Sequence, residues 1–553
     1  MPHRTRRRPN HRGGLAVALV LVTVLGGLGA CTGDDGGSGD RPHGATSSTA
    51  PADDPGRIGT RTAGDVVELR PLTTRDGRIV DDLGRDVLLR GANVNSLGEY
   101  WQGVDGLPAT LPVGDADWDA MAAHGFSAVR LLITWSRVEP ERDRIDAAYL
   151  DEVDAQVTAA AARGIYTVLD MHQDAYSAFI STEDPAGCPP GTEPAKGWDG
   201  APRWATLTDG LSTCLEGDDR NSSPAVTRAW NNFYEDRDGI RTRFAAAWAA
   251  VAARFAGRAE VAGFDLLNEP ETSAPAAELT PRYEAFLRQT ATAIRDAQAD
   301  APFRHLLLVE PALPAGHLDH GLVIPNAERI GLGTDGVVSA PHNYAESIDA
   351  GGLGLTIETM METMVGLGSA RGVPTWIGEY GFWDTEPATL EKVARYAETE
   401  DRYLLGGAWW GWRQSCGDPH SVRWEDGEVV APDGAQVHLN TLDCPANTDA
   451  GPTDAFLRVL GRGYPRAVPG EPTALVSDPE TGRLEVEATA SADDVGEQLL
   501  VWTPTEAAGH EVRVEGLRDL TEHPVPGGRL LTATVAAAGP YASPSPDPPT
   551  GSR

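Results

Sequence analysis

The sequence has little positive charge, few cysteines and no hydrophobic run long enough to cross a membrane. Its 553 residues include 46 Lys and Arg against 81 Asp and Glu, which gives a formal net charge of −35. Such an excess of acidic groups repels a phosphate backbone, so the composition argues against a nucleic-acid partner. The main apolar stretch, residues 15–28, is shorter than the roughly 20 residues of a transmembrane helix. What is present, 41% hydrophobic residues with 14 Trp, is typical of a globular protein.

The N-terminus carries the features of an export signal. Residues 1–12 contain five Arg and no acidic residue, and the apolar stretch follows them. It ends in Leu28-Gly29-Ala30-Cys31, which resembles a bacterial lipoprotein signal with Cys31 as the lipidated first residue of the mature chain. Simple cleavage after Ala30, which leaves Cys31 as a free thiol, is the alternative. We therefore expect an exported protein, held at the outer face of the cell membrane or secreted.

The other four cysteines form an even set in a chain that leaves the cytoplasm. They lie in two local pairs along the sequence. We predict the disulfides Cys188–Cys214 and Cys416–Cys444. A zinc site is the alternative, but the absence of any C-x-x-C pair argues against it.

Composition divides the chain into five segments. Residues 1–30 form the predicted signal peptide, and residues 31–65, rich in Gly, Ser, Thr, Pro and Asp, form a flexible linker. Residues 66–464 alternate short apolar runs with helical patterns. Residues 465–542 carry short alternating runs between turns, as in a small β-sandwich, and residues 543–553 are predicted to be disordered. The predicted sandwich strands are residues 474–476, 484–488, 498–502, 511–514 and 529–535.

Eight apolar runs in residues 66–464 predict the strands of a parallel sheet. Strands that are buried on both faces and separated by helices form such a sheet, and eight of them close into a (β/α)8 TIM barrel. Two of the helical patterns end just before Gly164 and Gly257, and glycine is favoured after the C-terminus of a helix. Residues 175–232 form a long insertion after the third strand. The predicted strands are residues 87–91, 128–133, 165–169, 261–267, 306–309, 336–339, 374–378 and 407–410.

Two glutamates end predicted barrel strands. Asn268-Glu269-Pro270 ends the fourth strand, and Glu379 ends the seventh. Barrel enzymes place catalytic groups at strand carboxyl ends, so both side chains are predicted to point into one pocket mouth. Glycoside hydrolysis needs one protonated and one ionised carboxyl group, and at about 5–5.5 Å apart the ionised group attacks the sugar with retention of configuration. Glu310-Pro311 after the fifth strand looks similar but lacks the Asn, so a Glu-Pro pair by itself is a weak signal.

Polar residues at the second and third strands support this interpretation. Arg130 places a fixed positive charge near the nucleophile and favours its ionised form. His172 is predicted to donate hydrogen bonds to sugar hydroxyls, and Asp174 to accept one. Each of them taken alone is also consistent with a satisfied core residue.

Further residues at the ends of the fourth, sixth and eighth strands complete the predicted site. Asn268 suits the sugar's 2-hydroxyl, whose contacts strengthen in the transition state. His342 and Tyr344 follow the sixth strand, and Tyr344 is placed to hydrogen-bond a carboxylate. Trp410 ends the eighth strand, where its indole face is predicted to stack on a pyranose. Matches at six strand ends together favour a functional site over six separate core residues.

The sequence resembles glycoside hydrolase family 5 over about residues 66–464. The resemblance rests on Arg130, Asn268-Glu269-Pro270, His342-x-Tyr344, Glu379 and Trp410. It implies that Glu269 is the acid/base and Glu379 the nucleophile. It also implies that neither a metal nor an organic cofactor takes part.

Within the family, the sequence is most similar to the endoglycoceramidases. The similarity lies in residues 170–174 (DMHQD), 263–270 (GFDLLNEP), 464–470 and 478–482, and in a barrel followed by a β-sandwich. It implies cleavage of the β-linkage between an oligosaccharide and ceramide. Such relatives tend to carry a Lys just after the first strand, whereas residues 93–101 (NVNSLGEYW) contain none. The sequence therefore leaves the sugar and the aglycone open.

Two other functional classes stay open. Within enzymes, the alternatives are an endo-β-glucanase or mannanase and an exo-β-glucosidase of the same family. Outside enzymes, the alternative is a non-catalytic carbohydrate-binding lipoprotein, against which both glutamates and their polar neighbours argue. We expect a carbohydrate or glycolipid substrate, membrane contact only through a lipid anchor or lipid substrate, and a monomer. Met360, Met361 and Met364 are predicted to be helix core, with a lipid-tolerant approach as the alternative.

Overall fold

The computed structural model describes residues 62–217, 219–270, 274–312, 326–348, 355–425, 427–507 and 512–543. The predicted signal peptide, Cys31, most of the linker and residues 544–553 lie outside this range. Residues Ala63–Asp65, predicted to belong to the linker, form a short 3-10 helix. Among the described helices, none combines the length and apolar character that a membrane crossing requires.

The strands are numbered in chain order. They are β1 Leu72–Arg75, β2 Arg78–Asp81, β3 Asp86–Val87, β4 Arg90–Val94, β5 Ala128–Thr134, β6 Tyr166–His172, β7 Val261–Asp265, β8 Leu306–Val309, β9 Val337–Ser339, β10 Ile377–Tyr380, β11 Gly407–Trp409, β12 Arg423–Glu425, β13 Glu428–Val430, β14 Gly434–Gln436, β15 Asn440–Cys444, β16 Thr448–Pro452, β17 Tyr464–Val468, β18 Glu471–Ser477, β19 Leu484–Ala490, β20 Gln498–Pro504, β21 Leu517–Val525, β22 Gly528–Val535 and β23 Gly539–Ser543.

The α-helices are concentrated between the parallel strands. They are α1 Asp115–Ala123, α2 Trp135–Val138, α3 Ala147–Ala161, α4 Pro224–Tyr234, α5 Ile240–Arg254, α6 Ala276–Ala297, α7 Ile357–Ala370, α8 Pro387–Arg402 and α9 Asp454–Leu460. Asp146 caps α3 by accepting from the N–H groups of Ala148 and Tyr149. Gly164 and Gly257 follow α3 and α5 with positive φ angles of 71° and 78°, as predicted for residues that end a helix.

Strands β4 to β11 form the predicted barrel. Their order is β10-β11-β4-β5-β6-β7-β8-β9, with parallel pairing throughout. Isolated parallel bridges from Ser339 to Thr375 and from His342 to Glu379 join the two ends of this sheet. Every residue of β5 and β6 is buried, as continuous apolar runs predict for strands covered on both faces. The predicted (β/α)8 architecture is confirmed.

The predicted position of the first barrel strand is wrong by three residues. We expected residues 87–91, whereas the strand is Arg90–Val94 and Val87 belongs to β3 in a different sheet. The apolar run gave the wrong position because burial continues from β3 into β4. Val87 and Leu89 lie in the same core cluster. In α7, the prediction of helix core is confirmed for Met361 and Met364, which are buried in the main core, whereas Met360 is partly buried against it.

Two antiparallel sheets form a β-domain at the C-terminus, as predicted. One has the order β1-β2-β3-β17-β20-β22-β21, and the other β18-β19-β23. Side chains from both sheets, including Leu475, Val486, Val501 and Trp502, share one core cluster. The predicted strand at residues 511–514 is wrong: residues 512–514 lie outside any strand, and the pairing strand begins at Leu517. Val512 packs against the core without a ladder partner, so its apolar character was misleading.

The N-terminal hairpin completes the larger of these sheets and closes one end of the barrel. Residues 72–87, placed with the barrel by the sequence, join the C-terminal strands through pairing of Val87 with Ala467. Leu72 and Ile79 share a core cluster with barrel residues such as Ala128, at the start of β5. The hairpin therefore covers the N-terminal end of the barrel, and the carboxyl ends of the strands are left to form a site.

Two long loops at the carboxyl end are braced by disulfides. The insertion between β6 and α4 contains the bond Cys188–Cys214. The loop after β11 contains the bond Cys416–Cys444, together with the β14-β15-β16 sheet. Both predicted pairings are confirmed.

Candidate active site

Arg130 lies at the centre of the carboxyl end of the barrel, fully buried on β5. Its planar guanidinium carries five N–H donors, which makes it suited to several acceptors at once. Four carboxylates converge on it. The contacts are to Asp170 Oδ1 at 2.9 Å, Asp265 Oδ2 at 2.9 Å, Glu310 Oε1 at 3.0 Å and Glu379 Oε1 at 2.7 Å.

This cluster holds more acidic groups than one cation can balance. Burial raises the pKa of Asp265 well above its ordinary value, against the opposing attraction of Arg130. Burial likewise raises the pKa of Glu310, against His342 and Arg130. The cluster therefore favours retaining protons on some of its carboxyl groups, which reduces the repulsion between them.

Glu379, the penultimate residue of β10, has hydrogen bonds to both of its carboxylate oxygens. Oε1 accepts from Arg130 at 2.7 Å, and Oε2 accepts from the Tyr344 hydroxyl at 2.8 Å. His342 Nδ1 lies 3.5 Å from Oε2, and the side chain is 6% exposed. Contacts from β5 and from the loop after β9 thus fix the direction in which this carboxylate points.

Glu269 lies just after β7 in a strained backbone conformation. Its φ angle of +37° is in the left-handed region, which costs a non-glycine residue on the order of 1–3 kcal/mol. Glu310 Oε2 accepts from its N–H at 2.8 Å. Gln173 Nε2 donates to its carbonyl at 3.0 Å. These two bonds on opposite sides of the residue hold the strained conformation.

The carboxylate of Glu269 contacts two cationic side chains. His342 Nδ1 lies 2.9 Å from Oε1, and Arg220 donates to Oε2 at 2.8 Å. Burial acts to raise the pKa of Glu269, but His342 and Arg220 outweigh it and lower the pKa to about 2. Burial opposes the charge on His342, yet Glu310 and Glu379 raise its pKa well above the ordinary value. In the unliganded protein the His342–Glu269 pair therefore keeps its shared proton on the imidazole.

The two glutamates are close enough to act on one bond. An oxygen of Glu269 and an oxygen of Glu379 lie within 4.8 Å of each other, and His342 Nδ1 lies 2.9 Å from Glu269 Oε1 and 3.5 Å from Glu379 Oε2. Inverting glycosidases need about 6.5–9.5 Å between the carboxyl groups to admit a water, whereas retaining enzymes need about 5–5.5 Å. The spacing fits the retaining arrangement.

His172 and Trp410 form one wall beside this pair. The His172 and Trp410 rings stack with centroids 5.4 Å apart. His172 Nδ1 lies 2.7 Å from Asp170 Oδ2. Within the described part of the chain, His172 Nε2 has no hydrogen-bond partner. The imidazole is thereby oriented by Asp170, while its Nε2 is buried and lies 3.8 Å from Asp174 Oδ2.

Asp174 and Asn268 are both buried, and both side chains make polar contacts within the site. Arg220 contacts Asp174 Oδ1, and His420 Nε2 lies 3.1 Å from Oδ2. Asn268 Oδ1 accepts from Arg130 at 2.9 Å, while its amide nitrogen donates to Gln173 O at 3.0 Å. The structure thus brings all the predicted site residues to one end of the barrel.

Sequence reasoning missed several residues of this site. Glu310 was treated as a chance Glu-Pro pair, although its position at the end of β8 was an available signal. Arg220 and His420 come from the two disulfide-braced loops, where the sequence has no periodic pattern to place them. Asn93, which accepts from Arg130 at 3.2 Å, lies near the end of β4. The sequence predicted this strand three residues too early, so Asn93 fell outside it.

The (β/α)8 barrel, the two glutamates at its carboxyl end and the buried Arg130 beside them together define a retaining glycoside hydrolase. The family profile described as "Cellulase (glycosyl hydrolase family 5)" matches residues 84–415. The chain belongs to glycoside hydrolase family 5.

Two solved structures and one further relative match most of the chain. A crystal structure of an endogalactoceramidase is 36% identical and covers 86% of this chain and 100% of that one, with a TM-score of 0.77. Endo-glycoceramidase II from Rhodococcus sp., in complex with a cellobiose-like isofagomine, is 26% identical over 85% of this chain and 99% of that one, with a TM-score of 0.65. Endoglycoceramidase I of Rhodococcus hoagii (strain 103S) is 26% identical over 508 residues, 85% of this chain and 87% of the relative.

Proposed function

We propose that the protein hydrolyses the β-glycosidic bond between a sugar headgroup and ceramide, with retention of anomeric configuration. The observation that carries the proposal is the placement of Glu269 and Glu379, whose oxygens lie within 4.8 Å. Similarity to endoglycoceramidases over most of the chain supports the glycolipid substrate.

In the first step, Glu379 attacks the anomeric carbon while Glu269 assists departure of ceramide. The bond from anomeric carbon to glycosidic oxygen breaks, a bond to a Glu379 oxygen forms, and the proton of Glu269 moves to the leaving oxygen. His342 Nδ1 at 2.9 Å from Glu269 Oε1 can return its proton to Glu269 when substrate enters. The pair then supplies the acid that the step requires.

In the second step, Glu269 acts as a base. It takes a proton from a water whose oxygen attacks the anomeric carbon, and the bond to Glu379 breaks. Arg130 and Tyr344 stabilise the carboxylate that Glu379 regains, through contacts of 2.7 and 2.8 Å. Two inversions at one carbon give net retention.

Subsite loops decide which headgroup is accepted. The loop of residues 93–101 lacks a lysine, and the relative at 36% identity is an endogalactoceramidase. A galactose linked to ceramide is therefore the first substrate to test. Because the matching family profile is described as cellulase, soluble β-glucan is the second.

The test is release of ceramide or reducing sugar from galactosylceramide, glucosylceramide, lactosylceramide, a ganglioside and a soluble β-glucan, assayed in parallel with detergent. We expect ceramide release from at least one glycolipid and little action on glucan. Glu379→Gln abolishes release, and proton NMR of the first product shows the β-anomer. Activity on glucan alone would show that the substrate is a glucan and not a glycolipid. An α-anomer as the first product would refute the role of Glu379 as nucleophile.

The N-terminal sequence adds a proposed location. Arg-rich residues 1–12, the apolar stretch and Leu28-Gly29-Ala30-Cys31 support export and lipidation at Cys31, which holds the enzyme at a membrane surface near lipid substrate. Metabolic labelling with palmitate should mark the wild-type chain and not Cys31→Ala. Equal labelling of both would refute lipidation at Cys31, and unlabelled secreted protein would favour simple cleavage.

A further inference from the structure

Arg220 is the only residue of the described insertion that reaches the acid/base, and it also contacts a predicted sugar ligand. It precedes α4, and its guanidinium donates to Glu269 Oε2 at 2.8 Å and contacts Asp174 Oδ1. Its side chain is 28% exposed, so part of it faces the open site. One cation thus bridges a carboxylate on the sugar side of the site and the carboxylate that handles the proton.

The two disulfide-braced loops hold Arg220 in this place. Its guanidinium carbon lies 5.0 Å from the centre of the Trp198 ring. Trp198 also contacts His420, with ring centroids 4.9 Å apart. Lys196 donates to the carbonyl of Val422 at 2.7 Å and so joins the insertion to the loop after β11. The position of Arg220 therefore depends on both loops.

Further order comes from the turn that carries Arg220. Asp219 Oδ1 accepts from the N–H of Asn221 at 2.9 Å, and the Ser222 hydroxyl donates to Asp219 O at 2.7 Å. Ser223 then caps α4 by accepting from Val226 N–H. Arg220 sits on a hydrogen-bonded turn at the start of a capped helix.

Glu269 alternates between acid and carboxylate during the proposed reaction, and Arg220 favours the carboxylate. Several charged groups face Glu269: His342 at Oε1, Arg220 at Oε2, and the carboxylates Asp174, Glu310 and Glu379 around them. Arg220 is the member of this set that lies far along the insertion after β6, next to α4 rather than next to a barrel strand. Its replacement leaves in place the contacts that Arg130 and His342 make with Glu379 and Glu269.

We propose that Arg220 is a positioning residue of the reaction, which orients Glu269, stabilises its carboxylate and ties it to the sugar-side residue Asp174. This inference rests on the proposed retaining hydrolysis. When Glu269 gives up its proton to the leaving oxygen, the anion that forms is already paired. The same positive charge limits how far toward alkaline pH the His342–Glu269 pair keeps its shared proton.

The test is the pH dependence of kcat/KM for Arg220→Gln, Arg220→Lys and wild type, with the full-length enzyme. The substrates are 4-nitrophenyl β-galactoside and β-glucoside, together with the ceramide glycoside that the parallel assay selects. In Arg220→Gln we expect the alkaline limit to rise by about one pH unit, since an opposite charge at this distance shifts a carboxyl group by 1–3 units. Arg220→Lys should keep the wild-type limit. Arg228→Gln, whose exposed partner is Asp209 at 3.0 Å, is the matched control from the same insertion and should match wild type.

A second measurement serves if Arg220→Gln shows no turnover. Isofagomine, a cationic sugar analogue, needs ionised carboxylates in the site, so its dissociation constant can be measured by calorimetry against pH. Its binding weakens when the pH falls far enough to protonate these carboxylates. In Arg220→Gln we expect this loss of binding to begin at a pH about one unit higher than in wild type. An unmoved limit in both measurements, or an equal loss of kcat/KM at every pH, overturns the inference. Wild-type enzyme that is inert on all of these glycosides defeats instead the proposed function.

Discussion

Arg130 Nη1 donates to Glu379 Oε1 at 2.7 Å, while the same guanidinium contacts three further buried carboxylates. One side chain thus orients the proposed nucleophile and neutralises much of the acidic charge at the carboxyl end of the barrel. Stability and chemistry are coupled at this residue, because a buried carboxylate without a partner is costly.

Replacing Arg130 by Lys should lower both the catalytic activity and the stability of the protein. A lysine keeps the charge but lacks the planar set of donors that reaches four acceptors. We expect kcat/KM to fall by at least about 100-fold and the free energy of unfolding to fall by roughly 3–5 kcal/mol, measured by steady-state kinetics and urea denaturation. Arg462→Lys is the control, since Arg462 is equally buried but pairs with Glu400 and Asp401. It should lose stability and keep kcat, and an Arg130→Lys enzyme of near wild-type activity would contradict this account.

Glu310→Gln should lower activity more than stability. Glu310 accepts from the N–H of the strained Glu269 at 2.8 Å, from Arg130 at 3.0 Å, and lies 3.2 Å from His342 Nε2. A glutamine keeps only one acceptor oxygen. Its amide N–H2 group then faces one of the donors that Glu310 accepts from, either the Glu269 N–H or the Arg130 guanidinium. The hydrogen bonds that hold Glu269 in its orientation are therefore weakened. We expect kcat/KM to drop about tenfold to 100-fold, corresponding to about 1–3 kcal/mol. Glu284→Gln, a buried glutamate of α6 paired with Arg329, should leave kcat/KM unchanged; equal losses in both variants would point to a general folding defect.

Tyr344→Phe isolates a single hydrogen bond. The Tyr344 hydroxyl donates to Glu379 Oε2 at 2.8 Å, and its ring stacks on Trp383 with centroids 5.9 Å apart. Phenylalanine keeps the stacking and removes the donor, so we expect kcat/KM to fall about tenfold or more while the melting temperature stays near that of wild type. Tyr396→Phe is the control, because the Tyr396 hydroxyl has no hydrogen-bond partner among the described residues. If both variants behave alike, the bond to Glu379 is not important for the reaction.

Asp86→Asn should change how stability depends on pH. Burial raises the pKa of Asp86 to about 7, against the opposing charge of Arg78, so the folded chain keeps a proton that the unfolded chain releases near pH 4. The free energy of unfolding therefore falls as pH rises from about 4 to 7 and stays lower above that. Asparagine mimics the protonated group, so the variant should be close to wild type at pH 4 and exceed it by about 4 kcal/mol at pH 8.

Urea denaturation at pH 4, 6 and 8 measures this difference. Asp82→Asn is the control on the same hairpin, since Asp82 is exposed and pairs with Arg70. A constant difference between Asp86→Asn and wild type across this pH range would contradict the role of burial.

Local patterns in the sequence were enough to predict the barrel and the glutamates at its strand ends. Apolar runs such as residues 128–133 mark strands that must be buried on both faces, and parallel strands of this kind bring their carboxyl ends together. Glu269 and Glu379 could therefore be placed at one opening before any contact was known. The same reasoning misplaced the first strand, because Val87 of β3 and Leu89, which lies between β3 and β4, are buried in the same core cluster.

The sequence by itself determined the barrel, the β-domain, the disulfide pairs and the two glutamates, because each depends on residue type and short-range spacing. Only the tertiary structure decided that Glu310 supports Glu269, that Arg220 bridges Glu269 and Asp174, and that the hairpin of residues 72–87 completes the C-terminal sheet. These contacts join segments far apart along the chain, and their formation depends on loop paths and shared burial that no local periodicity encodes.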